Sequence, residues 1–238
     1  LGDKLEPKKL IVIKRCGETF CFKSSITAPG DKVFETITPM VFIFSNASLQ
    51  QQRQHVALVA SDRLEGSRLL IYDINDSSSP LYSGKPIGHG FRWMLVLGTI
   101  NVNEEKKVIV VNETPHLSGI VRFIDLSNDS VNVNKTEISG YSAHTFGSRN
   151  IAMYDILDID NDRNEDDLII PNLDKDKLEI LSLTDNRSVH KNVESLLLNS
   201  PLSSNVLTTD INGDDFLDVI AGDQSGILYT FISNIHIK

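Results

Sequence analysis

The sequence predicts an all-β fold, and three observations support this prediction. Short runs of β-branched and aromatic residues recur along the whole chain of 238 residues. No long stretch shows the 3.6-residue periodicity of an amphipathic helix, and only 189–198 resembles a short one. Clusters of Gly, Asn, Asp, Ser and Pro separate the runs, as expected for strands joined by turns. The runs expected to form strands are 10–13, 41–44, 56–60, 69–72, 93–97, 108–111, 120–124, 168–170, 178–183, 219–221 and 227–232.

The strands recur in units of about 50 residues. One strand in each unit starts near an anchor residue, and the five anchors are Leu10, Val56, Val108, Leu168 and Val219. Their spacings are 46, 52, 60 and 51 residues. This period is typical of four-stranded propeller blades, which bury their faces only against neighbouring blades. We therefore predict a single β-propeller domain over 1–238, with five four-stranded antiparallel blades or an arc of a larger ring.

A loop rich in oxygen ligands precedes the last anchor. Its positions 1, 3, 5 and 9 carry oxygen-bearing side chains, and Phe216 offers a backbone carbonyl. The four side chains are Asp210, Asn212, Asp214 and Asp218. Ca²⁺ prefers six to eight oxygen ligands, and alternate loop residues can direct several carboxylates at one centre. The loop therefore predicts a calcium site with a structural role.

A second acidic loop begins 52 residues upstream and repeats the pattern. Its candidate ligands are Asp158, Asp160, Asp162, Asn164 and Asp166. The ninth position is ambiguous, because Asp167 follows Asp166 directly.

Two alternatives to a calcium loop of this type remain open. An EF-hand shares the first ligand positions, but it requires a Glu at position 12 and flanking helices. Position 12 is Ala221 in one loop and Ile169 in the other, and both lie in strand-like runs. The other alternative is a polar turn that is merely acidic, which is plausible for one loop and less so for two matched loops.

The net charge and the apolar runs exclude some classes of partner. The formal net charge of −9 argues against a nucleic-acid partner, because no basic stripe offsets phosphate repulsion. No apolar run approaches the roughly 18 residues that span a bilayer. We therefore expect no transmembrane segment.

The only two cysteines are Cys16 and Cys21, a spacing that fits no common zinc or thioredoxin pattern. A hairpin turn between them would let the thiols close a small disulfide, which suits an oxidising compartment. The alternative is a pair of small apolar residues in a hairpin.

No nucleophile elbow, phosphate-binding loop, zinc-protease motif or dinucleotide fingerprint occurs in the sequence. Two His…Arg pairs precede successive predicted blades: His89 with Arg92, and His144 with Arg149. They would form an anion or sugar-acid site, or supply the base of a lyase. The favoured alternative is hydrogen bonding at blade edges, repeated because the blades repeat.

Two aromatic residues lie beside the first of these pairs. Phe91 and Trp93 could stack on sugar rings, but their alternating positions in a strand favour places in the core.

Several segments resemble the FG-GAP or VCBS repeat family, which also forms the propeller head of integrin α subunits. The family pattern D-x-[DN]-x-D-G-x-x-D, followed by an apolar strand and a G-x-x-x-G turn, matches both loops and the turn 222–226. Segments 88–93, 114–117 and 144–149 resemble bacterial VCBS-repeat proteins of the alphaproteobacterial type. The family usually has Gly with positive φ at loop position 6, where this chain has Arg163 and Asp215.

The resemblance implies a β-propeller, calcium in the intact loops and a periplasmic, secreted or cell-surface location. It implies no activity, because one fold hosts many functions. We expect a monomeric, non-enzymatic binding module for a protein or glycan ligand. The alternatives are a polysaccharide lyase or related sugar-acting enzyme that uses the two His…Arg pairs, and a lectin with aromatic pockets between blades.

Overall fold

The structure, a computed structural model, describes residues 6–36, 38–46, 51–103, 106–125, 135–159, 166–184, 188–191 and 195–233. Over these residues it contains 19 β-strands and no helix, so the all-β prediction is confirmed. All strand pairs are antiparallel and they form five sheets. Within the same residues, no helix is long and apolar enough to cross a membrane.

The chain divides into two compact units, Leu1–Val96 and Leu97–Lys238. The first sheet of unit 1 pairs β1 (Lys9–Cys16) with β2 (Thr19–Thr27). The second sheet has the order β3-β5-β6-β7, and β4 also pairs with β5. Its strands are β3 (Val33–Phe34), β4 (Met40–Asn46), β5 (Gln51–Asp62), β6 (Gly66–Asp73) and β7 (Tyr82–Ser83).

Three further sheets follow, and the first strand of the third sheet begins just before the boundary of unit 2. The third sheet contains β8 (Met94–Asn101), β9 (Lys107–Glu113), β10 (Ile120–Asp125) and β11 (Lys135–Ile138). The fourth contains β12 (Asp155–Leu157), β13 (Asp167–Pro171), β14 (Lys177–Leu183), β15 (Val189–Lys191) and β16 (Leu196–Leu197). The fifth contains β17 (Leu207–Thr209), β18 (Asp218–Gly222) and β19 (Leu228–Phe231).

Each predicted repeat corresponds to one sheet. The five anchors lie in five different sheets, in strands β1, β5, β9, β13 and β18. All the runs expected to form strands also coincide with strands, although Trp93 lies just before β8, and Ile227 and Ile232 flank β19. The acidic loops join the first two strands of the fourth and fifth sheets, as the sequence pattern predicts.

The number of strands varies between the sheets more than the sequence predicts. Strand β6 occupies one edge of β5, so β3 and β4 share the other edge. In the same way β15 and β16 share one edge of β14. The second, third and fourth sheets therefore have four strand positions each. The first and fifth sheets have two and three strands in the described part of the chain.

The predicted short helix at 189–198 is wrong. Residues 189–191 and 196–197 are the strands β15 and β16, and both pair with β14. The apolar residues of this segment extend an existing sheet edge, and this pairing overrides a weak local helical pattern.

The central strands are buried on both faces. Every residue of β13 is buried, and so are residues 108–112 of β9. Strands buried on both faces are apolar without alternation, which explains the continuous runs in the sequence. In unit 1, Leu10 and Val12 of the first sheet pack against a core cluster that includes Val56 and Leu70. In unit 2, one cluster joins the fourth sheet to the fifth, with Ile169 and Val219 among its members.

The first strands of successive sheets in unit 2 approach each other closely. A Cβ added to Gly98 of β8 would lie 2.6 Å from Cδ1 of Ile156 in β12. The Thr208 hydroxyl of β17 donates to the Asp155 carboxylate of β12 over 2.6 Å. A small residue in one case and a direct hydrogen bond in the other thus bring β8 close to β12 and β12 close to β17. These are the first strands of the third, fourth and fifth sheets.

The structure joins Cys16 and Cys21 in a disulfide, with Cα atoms 6.0 Å apart. The intervening hairpin turns at Gly17, which has a φ of +67°. The Arg15 Nε donates to the Gly17 carbonyl over 2.9 Å, and the Thr19 hydroxyl donates to the Cys16 carbonyl over 3.1 Å. Of the two alternatives that the sequence leaves open, the structure therefore contains the disulfide.

Candidate functional site

The downstream acidic loop, which begins at Asp210, connects β17 to β18, and Asp218 is the first residue of β18. Gly213 and Asp215 have positive φ, at +80° and +68°. The loop therefore turns at position 6 as the family pattern predicts, although this chain has Asp there. Asp is among the residues that tolerate a left-handed backbone.

Asp210 organises this loop through hydrogen bonds to the backbone. Its Oδ1 accepts from the N–H of Gly213 over 2.7 Å, and its Oδ2 accepts from the N–H of Asp215 over 3.0 Å. The N–H of Gly213 is the largest influence that lowers the pKa of Asp210. A carboxylate that accepts several N–H groups stays ionised, which a cation ligand requires.

Asn212 and Asp214 are exposed and lie against each other. The Asn212 Nδ2 donates to Asp214 Oδ2 over 2.9 Å, and the N–H of Phe216 donates to Asp214 Oδ1 over 2.9 Å. Both side chains therefore stand at the loop surface, where a cation can reach them.

Asp218 is fully buried, and its carboxylate joins the start of the acidic loop to the segment that follows β19. Its Oδ2 accepts from the N–H of Ile211 over 2.9 Å, and its Oδ1 accepts from the N–H of Ser233 over 2.9 Å. Among the described residues, no three Asp, Glu, His or Cys side chains form a group that could hold a metal. The oxygen-only donors suit Ca²⁺ chemically, while hydrogen bonds hold the loop in this arrangement.

The second acidic loop is described only at its ends. Asp160, Asp162 and Asn164 lie outside the described residues, and Asp158 is half-buried. The carboxylate of Asp166 accepts from both the backbone N–H and the Nδ2 of Asn101, each over 2.8 Å. Asp166 thus connects this loop to the end of β8.

Asp167 occupies the place in β13 that Asp218 has in β18. It is buried, it accepts from the N–H of Ile159 over 3.3 Å, and it accepts from the Ser182 hydroxyl. Ile159 and Ile211 are both the second residue of their loops. Between the two candidates that the sequence leaves open, this correspondence favours Asp167 as the ninth-position residue.

The first His…Arg pair lies in unit 1, between β7 and β8, and its backbone packs on a turn. The carbonyl of Arg92 accepts from the N–H of Ser67 over 3.1 Å. A Cβ on Gly66 would lie 2.2 Å from the His89 carbonyl oxygen, and one on Gly90 would lie 2.0 Å from the Arg63 carbonyl oxygen. The His89 side chain is exposed.

The second pair lies in unit 2, between β11 and β12. His144 is buried, and its Nδ1 bonds the carbonyl oxygen of Asn150 over 2.8 Å, whereas Arg149 is exposed. The His144 ring lies 5.1 Å from the ring of His116, centroid to centroid. The sequence did not predict His116 as a site residue; the one signal at this position is the resemblance of segment 114–117 to bacterial VCBS-repeat proteins.

The two aromatic residues beside the first pair have different environments. Trp93 is buried, so its predicted place in the core is confirmed. Phe91 is 75% exposed, so the same prediction is wrong for it. Its φ of +57° takes it out of the extended alternation on which that prediction relied.

Comparison with known proteins adds no family to this description. No family model matches the chain. No curated protein matches it either. The resemblance to FG-GAP and VCBS repeats thus depends on the loop residues described above.

Proposed function

We propose that the protein is a non-enzymatic, calcium-stabilised β-propeller that binds a protein or glycan ligand. One observation carries the binding role: both His…Arg segments expose a phenylalanine ring. Phe91 is 75% exposed and Phe146 is 82% exposed. Exposed aromatic rings on supported loops are the usual anchors of protein and glycan recognition.

The propeller proposal is supported by the correspondence of five repeats to five antiparallel sheets. Central strands buried on both faces are expected where sheets stack face to face. The close approach of β8 and β12 at Gly98 fits the crowded inner strands of a propeller. A closed five-bladed ring or an arc of a larger one satisfies these observations, and a closed ring would be a monomer without exposed edges.

Calcium in this proposal has a structural role. Asp210, Asn212, Asp214 and Asp218 would hold it through their side chains, and Phe216 through its carbonyl. When bound, the cation would offset the repulsion between the three carboxylates of one loop. Their separate hydrogen bonds to backbone N–H groups keep the loop formed before the cation arrives.

The location outside the cytoplasm is supported by the disulfide between Cys16 and Cys21. Disulfides persist in the periplasm and on secreted proteins, where reductants are scarce. The bacterial assignment depends on the resemblance of 88–93, 114–117 and 144–149 to bacterial VCBS-repeat proteins.

A polysaccharide lyase is the second candidate function. The positions of its candidate residues, the two His…Arg pairs, favour a structural role over catalysis. The backbone of His89 and Arg92 supports the Gly66 turn, and His144 supports Asn150. These contacts give the backbone of His89 and Arg92 and the Nδ1 atom of His144 a structural role that requires no substrate.

A glycan array read with and without calcium tests the proposal. We expect wild-type protein to capture a defined ligand class, and Phe91→Ala or Phe146→Ala to weaken capture. Phe20→Ala is the matched control, because Phe20 is 72% exposed on the β1–β2 hairpin. Capture that is unaffected by Phe91→Ala and Phe146→Ala, or release of unsaturated products from an acidic polysaccharide, would contradict a binding module of this kind.

A further inference from the structure

Three neighbouring loops of unit 2 bring two histidines and a lysine together. The loops are 114–119, 139–150 and 172–176, and they carry His116, His144 and Lys175. The N–H of Tyr141 donates to the Gly119 carbonyl over 3.0 Å, and the N–H of Leu173 donates to the Gly140 carbonyl over 2.7 Å. The middle loop is thus bonded to both of the others.

His116 is the member of the group on which the other two act, and its ring centroid lies 5.1 Å from that of His144. Burial is the main cause that lowers the pKa of His116. His144 and Lys175 lower this pKa further, and a hydrogen bond to the backbone of His144 opposes the shift. Burial also lowers the pKa of Lys175, and the neighbouring Asp174 opposes this. One ammonium group and two imidazoles therefore share one partly buried region of a chain whose formal net charge is −9.

Of the two carboxylates near these side chains, Glu179 is engaged by other partners and Asp174 acts on Lys175. Glu179 in β14 is buried, and its Oε1 lies 2.7 Å from the ammonium groups of Lys177 and Lys191. Its Oε2 accepts from the Tyr141 hydroxyl over 2.7 Å. Asp174 is exposed beside Lys175.

Backbone strain coincides with the cluster. Thr114 and Lys175 have φ values of +47° and +61°, and a β-branched residue rarely adopts such a value. The Thr114 and Ser118 hydroxyls are 2.7 Å apart, which braces the loop that carries His116. Strain of this kind persists where the surrounding structure enforces it, and it concentrates at binding sites.

An exposed apolar surface adjoins the two histidines. The Phe146 ring stands edge-on to the His116 ring at 5.6 Å and is 82% exposed. Leu117, the neighbour of His116, is 55% exposed. An aromatic face beside donors for an anion suits a sugar ring that carries an acidic group.

We propose that His116, His144, Lys175 and Phe146 form a binding site for an anionic saccharide. The acidic group is held by the imidazoles and the ammonium group, and the sugar ring stacks on Phe146. Because an anion favours protonated imidazoles, bound ligand raises the pKa of His116 and affinity increases as the pH falls. This inference rests on the binding function proposed above and specifies its ligand class.

Calorimetric titration of the full chain tests the site with four named probes. They are a trigalacturonate, a sulfated heparin-derived disaccharide, neutral maltotriose and inorganic phosphate. The variants are His116→Gln, Lys175→Met and Phe146→Ala, and the control is Lys85→Met, which removes an exposed charge in unit 1. Thermal melting of each variant shows that it is folded.

We expect one of the two acidic saccharides to bind more tightly than maltotriose. Preference for the trigalacturonate identifies the acidic group as a carboxylate, and preference for the heparin-derived disaccharide identifies it as a sulfate. Each of the three variants should weaken that binding about tenfold or more, whereas Lys85→Met should not. Binding of maltotriose alone, of phosphate alone or of no probe would overturn the inference. So would unchanged affinity in folded His116→Gln and Lys175→Met. Capture of another ligand on the glycan array, without binding here, would leave the proposed binding function standing.

Discussion

The buried carboxylate of Asp218 accepts a hydrogen bond from the backbone N–H of Ile211 over 2.9 Å, and Asp167 repeats this contact with Ile159 over 3.3 Å. Each pair joins the first residue of a central strand to the second residue of the loop before it. In the loop 210–218 this contact fixes the loop against its sheet, while Asp214 is exposed. The fourth and fifth sheets thus have a buried carboxylate at the same position, where it holds the preceding loop.

We predict that Asp218→Ala destabilises the protein by about 2 kcal/mol, because the N–H groups of Ile211 and Ser233 lose the buried carboxylate that accepts from them. Asp167→Ala should have a similar effect through Ile159 and Ser182. Urea unfolding measures the free energy of unfolding in both variants. Asp31→Ala, which alters an exposed carboxylate, is the control. Equal stability of Asp218→Ala and Asp31→Ala would show that the buried contact has no structural role.

Gly66 is predicted to tolerate no side chain. A Cβ there would lie 2.2 Å from the His89 carbonyl oxygen, and the backbone has a φ of +73°. Gly66→Ala should cost about 3 kcal/mol, from left-handed strain and from displacement of the segment that carries Phe91.

Gly30→Ala separates these two contributions. Gly30 has a φ of +59°, but nothing lies within 4 Å of its added Cβ. It should cost only the strain, about 1 kcal/mol. The measurement is again urea unfolding, and equal losses in both variants would contradict the predicted close contact.

The stability of the fold should decrease as the pH falls below the usual imidazole range. His55 in β5 is buried, and this burial lowers its pKa from 6.5, although Asp73 opposes the shift. The unfolded chain therefore binds a proton that folded His55 resists. Stability from this residue is present above pH 6.5 and is lost as the pH falls through and below that value.

Urea unfolding from about pH 7.5 to about pH 5.5 measures this effect. His55→Gln should reduce the dependence on pH, because one of the two histidines whose pKa is lowered by burial is gone and His116 remains. His190→Gln, at an exposed position, should leave it unchanged. An identical slope in wild type and His55→Gln would show that folding does not resist protonation at this residue.

The strands could be predicted because stacked sheets require continuous apolar runs in their central strands. Val108 and Leu168 start such strands, and their period follows from one sheet per repeat. The ninth position of the upstream loop could not be chosen from the sequence, because Asp166 and Asp167 are equally acidic. Only their partners, Asn101 in one case and Ile159 in the other, distinguish them.

The group of His116, His144 and Lys175 was harder to predict, because it depends on loops that are distant in sequence. His116 and Lys175 come together through backbone bonds to the segment near Gly140. The sequence pattern also places Phe91 in the core, whereas the residue is exposed. A positive φ at Phe91 interrupts the alternation of a strand, and this φ could not be predicted from the pattern.

Calcium titration of chelator-treated protein, followed by calorimetry and by thermal melting, tests the central claim most directly. We predict saturable binding with a Kd of about 10⁻⁴ to 10⁻³ M and a midpoint raised by about 3 °C at saturating calcium. Asp210→Asn and Asp214→Asn should each weaken binding, because the site loses a charged ligand, whereas Asp31→Asn should not. Absence of binding, with an unchanged melting midpoint and no calcium in the purified protein, would contradict the account.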